Sequence, residues 1–156
     1  MAATTNKEII ERYYYKGWNK GDTAVVSELL HENVKCRTAF KRKPTVGNNA
    51  MIEYMKTIRL TLAKYSFEID DMVVTDDRAA VRVTCRGLHK GTFFGVEGSG
   101  HEVHFSGTAF FTFKDGKISE IWTSADIDGL KNQIGAKTGA NPFDSPTISP
   151  THQENK

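Results

Sequence analysis

The chain has 156 residues, a length typical of a single domain with one hydrophobic core. Its hydrophobic content of 38% and its charged content of 26% exclude a disordered or fibrous protein. A formal net charge of +2 is too small to indicate a nucleic-acid partner, and we expect none. The basic segment from Lys35 to Lys43 is interpreted as a solvated face, and a nucleic-acid adaptor is the least favoured function.

Cysteine usage and the N-terminus bear on the compartment. Cys36 and Cys85 lie far apart without Cys-x-x-Cys spacing, so they indicate neither a zinc site nor a disulfide framework, and we expect buried free thiols. The first ten residues lack the apolar core of a signal peptide, and no apolar run approaches membrane-spanning length. The sequence predicts a soluble, cytoplasmic protein without a membrane partner.

The first predicted helix begins with a capping box of Thr5 and Glu8 and ends at Gly21. It carries three consecutive tyrosines at 13–15, followed by Trp18. Rings spread over three directions of a helix cannot all face one core, so one of them is a candidate for a cavity wall. An ordinary core pair of Tyr14 and Trp18 is the alternative.

Two further helices are predicted. Asp22 can cap the second, which has an apolar stripe up to Leu30. The third begins at 47–49 and continues to Leu62, with Met51 and Met55 on its apolar face. These methionines either shape an adaptable ligand cavity or belong to the plain core.

The rest of the domain has the two-residue period of strands. A short strand at 34–39 precedes the third helix, and strands at 65–70, 72–75, 79–88 and 102–113 follow it, with a last strand after an Asp115-Gly116 turn. Three helices followed by a strongly curved antiparallel sheet predict the α+β class. We expect one domain over 1–135 and a flexible tail over 136–156, or alternatively a tail that wraps a cavity mouth through Phe143.

The last strand and the residues directly after it carry the strongest candidate for chemistry. The two-residue period predicts that Trp122 and Asp126 lie on one face of this strand. The other residues predicted on that face are Ile118, Glu120 and Ser124. An aromatic side chain in line with an acid is typical of a small-molecule pocket. In the alternative interpretation, Asp126 or Asp128 caps a final helical turn.

Several segments of the sequence resemble one family. The segment 89–95, His-Lys-Gly-Thr-Phe-Phe-Gly, is similar to the His-x-Gly-x-Phe-x-Gly segment of the SnoaL-like polyketide cyclases in the NTF2-like superfamily. The Gly-Ser-Gly-His turn at 98–101, the segments 115–118 and 126–130, Trp122 and the Gln-Ile-Gly end at 133–135 add to the resemblance, which extends from about residue 6 to 135.

The resemblance implies a cone in which a curved antiparallel sheet encloses an apolar cavity, and a homodimer formed through the outer face of the sheet. It also implies intramolecular aldol chemistry without metal or cofactor, with Asp126 similar in position to the acid/base aspartate of the family. Relatives often carry a histidine where this chain has Lys-Cys-Arg at 35–37. If Arg37 points inward, a fixed cation replaces a titratable imidazole.

Enolisation needs a base near the carbon acid and a donor to the developing enolate oxygen. Asp126 is the candidate base, with a pKa raised by burial beside Trp122. His104 or His89 is the candidate donor, with Arg37 or Tyr15 as further ones. A metal site is not expected, because His101 and His104 at three-residue spacing point to opposite faces of a strand.

The sequence therefore predicts a cofactor-free cyclase, isomerase or dehydratase of secondary metabolism, acting on an apolar, aromatic or polycyclic polyketide-like molecule. The alternative is a non-catalytic NTF2-like module that binds a small ligand or only dimerises. The predicted substrate-binding residues are Tyr15, Trp18, Arg37, Met51, Met55, Phe110 and Trp122.

Overall fold

The computed structural model describes residues 2–137 and 139–143. Its helices are α1 (Ala2–Arg12), a π-helical turn (Tyr13–Trp18), α2 (Thr23–Leu29), α3 (Asn48–Thr61) and α4 (Ile127–Ile134). Its strands are β1 (Leu30–Arg37), β2 (Thr45–Val46), β3 (Leu62–Val74), β4 (Arg78–His89), β5 (Glu102–Lys114) and β6 (Lys117–Ala125). None of the described helices is long and apolar enough to cross a membrane.

The six strands form one curled sheet in the order β2-β1-β6-β5-β4-β3, with the helices packed against it. The predicted α+β class is confirmed. The sheet is mixed rather than antiparallel, because β1 runs parallel to β6. A parallel pair needs a long connection, and here the whole chain from β2 to β5 lies between the two strands.

The inner face of the sheet follows the predicted alternation on its two longest central strands. The odd positions of β4 from Ala79 to His89 are buried, and so are the odd positions of β5 from Val103 to Phe113. Asp22 caps α2 as predicted, since its side chain accepts a hydrogen bond from the Val25 N–H. Both cysteines are buried free thiols, as expected.

The predicted start of the first helix is wrong. The helix begins at Ala2, so Thr5 lies within it and does not cap it. The neighbouring Asn6 has a tertiary role instead, because its amide nitrogen donates to the carbonyl oxygens of Thr75 and Asp76 at 3.1 and 2.9 Å. These bonds hold α1 to the turn between β3 and β4.

The π-helical turn explains how the aromatic block is accommodated. A π-helix pairs residues five apart, which brings Tyr13 and Trp18 to the same side. Tyr13, Tyr14 and Trp18 are buried, whereas Tyr15 is not, so the prediction that the four rings do not all face one core is confirmed. Tyr15 is 38% exposed, and its hydroxyl accepts a hydrogen bond from the Ile69 N–H at 3.2 Å.

Candidate functional site

A small cavity of about 40 Å³ lies between the π-helical turn, α3 and the inner face of the sheet. Aromatic rings make up much of its wall, with aliphatic, threonine and cysteine side chains between them. The lining residues are Tyr13, Tyr14, Trp18, Thr38, Ala39, Phe40, Met51, Tyr54, Tyr65, Phe67, Val83, Cys85, Phe105, Gly107, Thr123 and Ala125. A space of this size holds a few water molecules. Small-molecule sites are typically 300–1,000 Å³, so a ligand must enlarge the cavity.

Hydroxyl groups give the cavity its polar character. Thr38 lines it, and the Thr38 side-chain oxygen is buried without a hydrogen bond of standard geometry to any described residue. The Tyr54 hydroxyl lies near the Thr38 oxygen, close enough for Thr38 to lower the pKa of Tyr54 but not in hydrogen-bonding geometry. A buried hydroxyl without a partner is costly, and a ligand oxygen is a group that would satisfy it.

The tyrosines of the cavity are neutral hydrogen-bond donors. Burial raises the pKa of Tyr54 above its ordinary value, and the nearby Thr38 side chain and Phe40 backbone oppose this only in part. Burial likewise raises the pKa values of Tyr13, Tyr14 and Tyr65. The pKa of the Cys85 thiol rises to about 12, also through burial, so the thiolate is disfavoured at neutral pH.

Two of the predicted substrate-binding residues line this cavity. They are Trp18 from the π-helical turn and Met51 from the first half of α3. Met55 is fully buried in the core one turn further along α3 but does not line the cavity. Tyr15 lies outside the cavity wall.

Asp126 does not lie in an apolar pocket. It is exposed at the start of α4, where its Oδ1 accepts a hydrogen bond from the Gly129 N–H at 2.9 Å. The capping interpretation is thus confirmed, because the chain turns into α4 directly after Ala125. Ala125 lines the cavity, which places Asp126 one residue beyond it.

Trp122, Phe110 and Arg37 lie on the outer face of the sheet, so their predicted positions in the pocket are wrong. Trp122 and Phe110 are paired across β6 and β5 and are 47% and 54% exposed. The Arg37 guanidinium stacks on Trp122 at 4.5 Å from the ring centroid, so it does not point inward. A register shift between β5 and β6 places Ile118 inside, so it does not share a face with Trp122.

Neither predicted histidine lines the cavity. His104 is exposed on β5, where the Gln133 side chain bonds its backbone N–H and C=O at 2.9 and 2.7 Å. His89 is fully buried at the end of β4, with its Nδ1 2.9 Å from the Ser99 Oγ. The catalytic roles of Asp126, His104 and His89 remain predictions without support from their positions.

Tyr54, Tyr65 and Thr38 are cavity residues that sequence reasoning missed. Tyr54 follows Met51 by three positions, so the helical period that selected Met51 also indicated Tyr54. Thr38 follows directly after β1, where the alternation of strand residues does not predict a buried hydroxyl.

Among residues 2–137 and 139–143, no three His, Cys, Asp or Glu side chains lie close enough together to hold a metal ion. The expected absence of a metal stays a prediction.

Comparison with known proteins decides the family. A family model of SnoaL-like polyketide cyclases matches residues 8–134, most of the chain. The chain belongs to the SnoaL-like polyketide cyclase family. The resemblance given by the segments from His89 to Gly135 is thereby confirmed. Among curated proteins, no sequence matches significantly.

Solved structures of several other proteins share the fold. A candidate SnoaL-like polyketide cyclase from Jannaschia sp. CCS1 superposes with a TM-score of 0.79 at 22% identity, covering 86% of this chain and 94% of that one. TsrD from Streptomyces laurentii gives a TM-score of 0.76 at 25% identity over 86% of this chain and 97% of its own. IdmH from Streptomyces antibioticus, a candidate polyketide cyclase, gives a TM-score of 0.73 at 22% identity and covers 83% of this chain and 98% of its own.

Substitution of Asp126 separates capping from chemistry. Asp126→Ala removes the acceptor for the Gly129 N–H and is expected to lower the free energy of unfolding by about 1 kcal/mol. Asp126→Asn keeps an acceptor of similar capping strength and should leave stability nearly unchanged. Urea denaturation measures both. Equal losses in the two variants would show that the cap is not what Asp126 contributes to folding.

His89 should make folding sensitive to acid. Burial lowers its pKa below 6.5, and nearby His101 adds to this, whereas the carbonyls of Val96 and Gly91 oppose it. The folded state then binds fewer protons than the unfolded state just below pH 6.5, so the unfolding free energy falls as the pH drops through this range.

Urea denaturation at about pH 7.5 and about pH 5 measures this loss. His89→Gln should show a smaller loss between the two pH values than the unsubstituted protein, and His101→Gln should keep most of it. An undiminished loss in His89→Gln would assign the acid sensitivity to other groups.

Proposed function

We propose that the protein is a cofactor-independent cyclase or isomerase of secondary metabolism that acts on a polyketide-like aromatic or polycyclic molecule. The aromatic cavity with its buried, unpaired Thr38 hydroxyl is the observation that supports this proposal most. Family membership favours ring closure, while isomerisation and dehydration use the same enolate chemistry.

The cavity offers a binding mode for an aryl carbonyl compound. The ring system packs among Trp18, Tyr65 and Phe67, and the carbonyl oxygen accepts hydrogen bonds from Tyr54 and Thr38. Neutral phenol and hydroxyl donors stabilise the enolate oxygen that develops when a proton leaves the neighbouring carbon. The donors act inside an apolar wall, where hydrogen bonds to developing charge are strongest.

The base in this mechanism is Asp126. It directly follows the cavity-lining Ala125 and is exposed, so this role requires a substrate that extends out of the cavity to reach its carboxylate. Its Oδ1 is already a helix cap, so proton transfer falls to Oδ2. The proton taken from carbon is returned to the product at a different carbon in isomerisation, or to the aldol oxygen in ring closure.

A non-catalytic small-ligand carrier is the second candidate. It is favoured by one observation: among the described residues, no carboxylate or imidazole side chain lines the cavity. A carrier needs the aromatic wall and the hydroxyl donors but no base. The two candidates differ in whether the bound ligand exchanges carbon-bound hydrogen.

Hydrogen exchange of a model ketone distinguishes the two candidates. We expect the protein to accelerate exchange of the α-hydrogens of 2-tetralone in heavy water, followed by proton NMR. Tyr54→Phe removes one donor to the enolate and should slow this exchange by about tenfold or more. Asp126→Asn should abolish the acceleration, whereas Asp128→Asn, two residues along the same segment, should not.

Calorimetry with 2-tetralone provides the control for binding. Bound ketone with no accelerated exchange would favour the carrier over the enzyme. Acceleration that survives in Asp126→Asn would remove Asp126 from the mechanism and leave the cavity as its site.

We also propose that the protein is a homodimer formed through the outer face of the sheet. A groove of about 330 Å³ on this face contains the half-exposed rings of Phe110 and Trp122, flanked by Arg78 and Glu120. Exposed aromatic rings with a charged rim are typical of a protein interface.

Sedimentation equilibrium tests the dimer. Phe110→Lys should raise the dissociation constant of the dimer by at least about tenfold, because it places a charge in the centre of the interface. The control is Leu60→Lys, which changes an exposed apolar residue on α3, away from the groove. A monomeric protein without any substitution would contradict the proposal.

A further inference from the structure

A second, larger space lies on the surface beside the interior cavity. This basic cleft has a volume of about 530 Å³ and is formed by the loop after β1 and the described part of the C-terminal segment. Its lining residues are Phe40, the three cations Lys41, Arg42 and Lys43, and Asn141 and Phe143, with two prolines and a threonine. No acidic side chain among the described residues lines it.

Contacts between distant parts of the chain hold the basic cleft in place. An Arg42 Nη donates to the Asn141 side-chain oxygen at 3.3 Å, which joins its two walls. The Phe94 N–H donates to the Pro142 carbonyl at 2.8 Å, and the rings of Phe93 and Phe143 are 6.2 Å apart. The walls are therefore attached to each other and to the loop after β4.

The positive charge of the cleft is not neutralised by the described part of the chain. The salt bridges found there join other side chains, and none involves Lys41, Arg42 or Lys43. Three cations in a chain of net charge +2 concentrate positive potential in this one concave place. Such a site favours an oxyanion, which Arg and Lys bind through charge-assisted hydrogen bonds.

The basic cleft and the interior cavity share a wall. Phe40 lines both spaces, and the Lys41 ammonium lies 5.8 Å from the ring centroid of Tyr54, which lines the cavity. The cavity alone is too small for a ligand of ordinary size, whereas the adjoining basic cleft has room for one end of such a ligand. Displacement of the Phe40 ring would join them.

We propose that the ligand of this protein is an aromatic oxyanion whose carboxylate or phosphate group is held in the basic cleft by Lys41, Arg42 and Lys43. Its apolar body enters the interior cavity past the Phe40 ring. This inference rests on the proposed use of the cavity for a small molecule and adds the charge of that molecule. An aromatic ligand of matching shape without the oxyanion binds more weakly.

Calorimetry with matched probes tests this inference. The probes are 2-naphthoate, 2-naphthyl phosphate and methyl 2-naphthoate, which share a ring system and differ in charge. We expect at least one anionic probe to bind about tenfold or more tightly than the neutral ester, and increasing salt to weaken only the anionic probes. The tighter of the two anions identifies the group that the cleft accepts.

Substitutions in the basic cleft test whether its cations cause the preference for the anionic probe. The double variant Arg42→Gln with Lys43→Gln should reduce the affinity for the anion by about tenfold and leave the affinity for the ester unchanged. The control is Lys114→Gln with Lys117→Gln, which removes two cations from the β5–β6 turn and should change neither affinity.

The outcomes separate this inference from the proposed function. Equal binding of anion and ester, or the same loss in both double variants, would overturn the inference while leaving ligand binding in the cavity intact. Failure of all three probes to bind would contradict both. An affinity for inorganic phosphate equal to that for 2-naphthyl phosphate would show an anion site that is not connected to the cavity, and would also overturn it.

Discussion

The packing of the π-helical turn against the inner face of the sheet is the contact on which the cavity depends. Tyr13 meets Phe111 with ring centroids 5.7 Å apart, and Trp18 meets Phe67 at 5.2 Å, both edge to face. Such pairs contribute about 0.5–1.5 kcal/mol each beyond the burial of their area. Gly17 allows α2 to pack closely against the turn, because a Cβ there would lie 2.8 Å from a Val26 methyl group. The rings that hold the helices on the sheet are thus also the walls of the cavity.

Much of the fold could be predicted from period and turn chemistry. Buried and exposed residues alternate along β4 and β5 as the sequence indicates, and the turn at Asp115 uses two positive φ angles, as its Asp-Gly pair predicts. The parallel pairing of β1 with β6 was not predictable, because pairing between strands distant in sequence leaves no local signal. The register shift near Ser119 was also missed, since one extra residue reverses the faces without changing composition.

The candidate site was predictable only in part. Alternation shows which side chains share a face of a strand, but it does not show which face is concave. Trp122 was therefore placed inside on the strength of its apolar ring, whereas the structure stacks it on Arg37 outside. The helical period correctly predicted that Trp18 and Met51 face the cavity, because a helix packed on a sheet buries only one side. The basic cleft was interpreted from sequence as a solvated face, since nothing local indicates that Asn141 returns to meet Arg42.

The proposed function depends on the interior cavity being the ligand site, and the methionines of the chain can report on this directly. With ¹³C-labelled methionine methyl groups, titration with methyl 2-naphthoate should move the resonance of Met51, which lines the cavity, through the ring current of the bound probe. The resonance of Met72 on β3, outside the cavity wall, should stay in place. A shift of Met72 with Met51 unchanged, at probe concentrations where calorimetry shows binding, would place the ligand elsewhere and contradict the proposed role of the cavity.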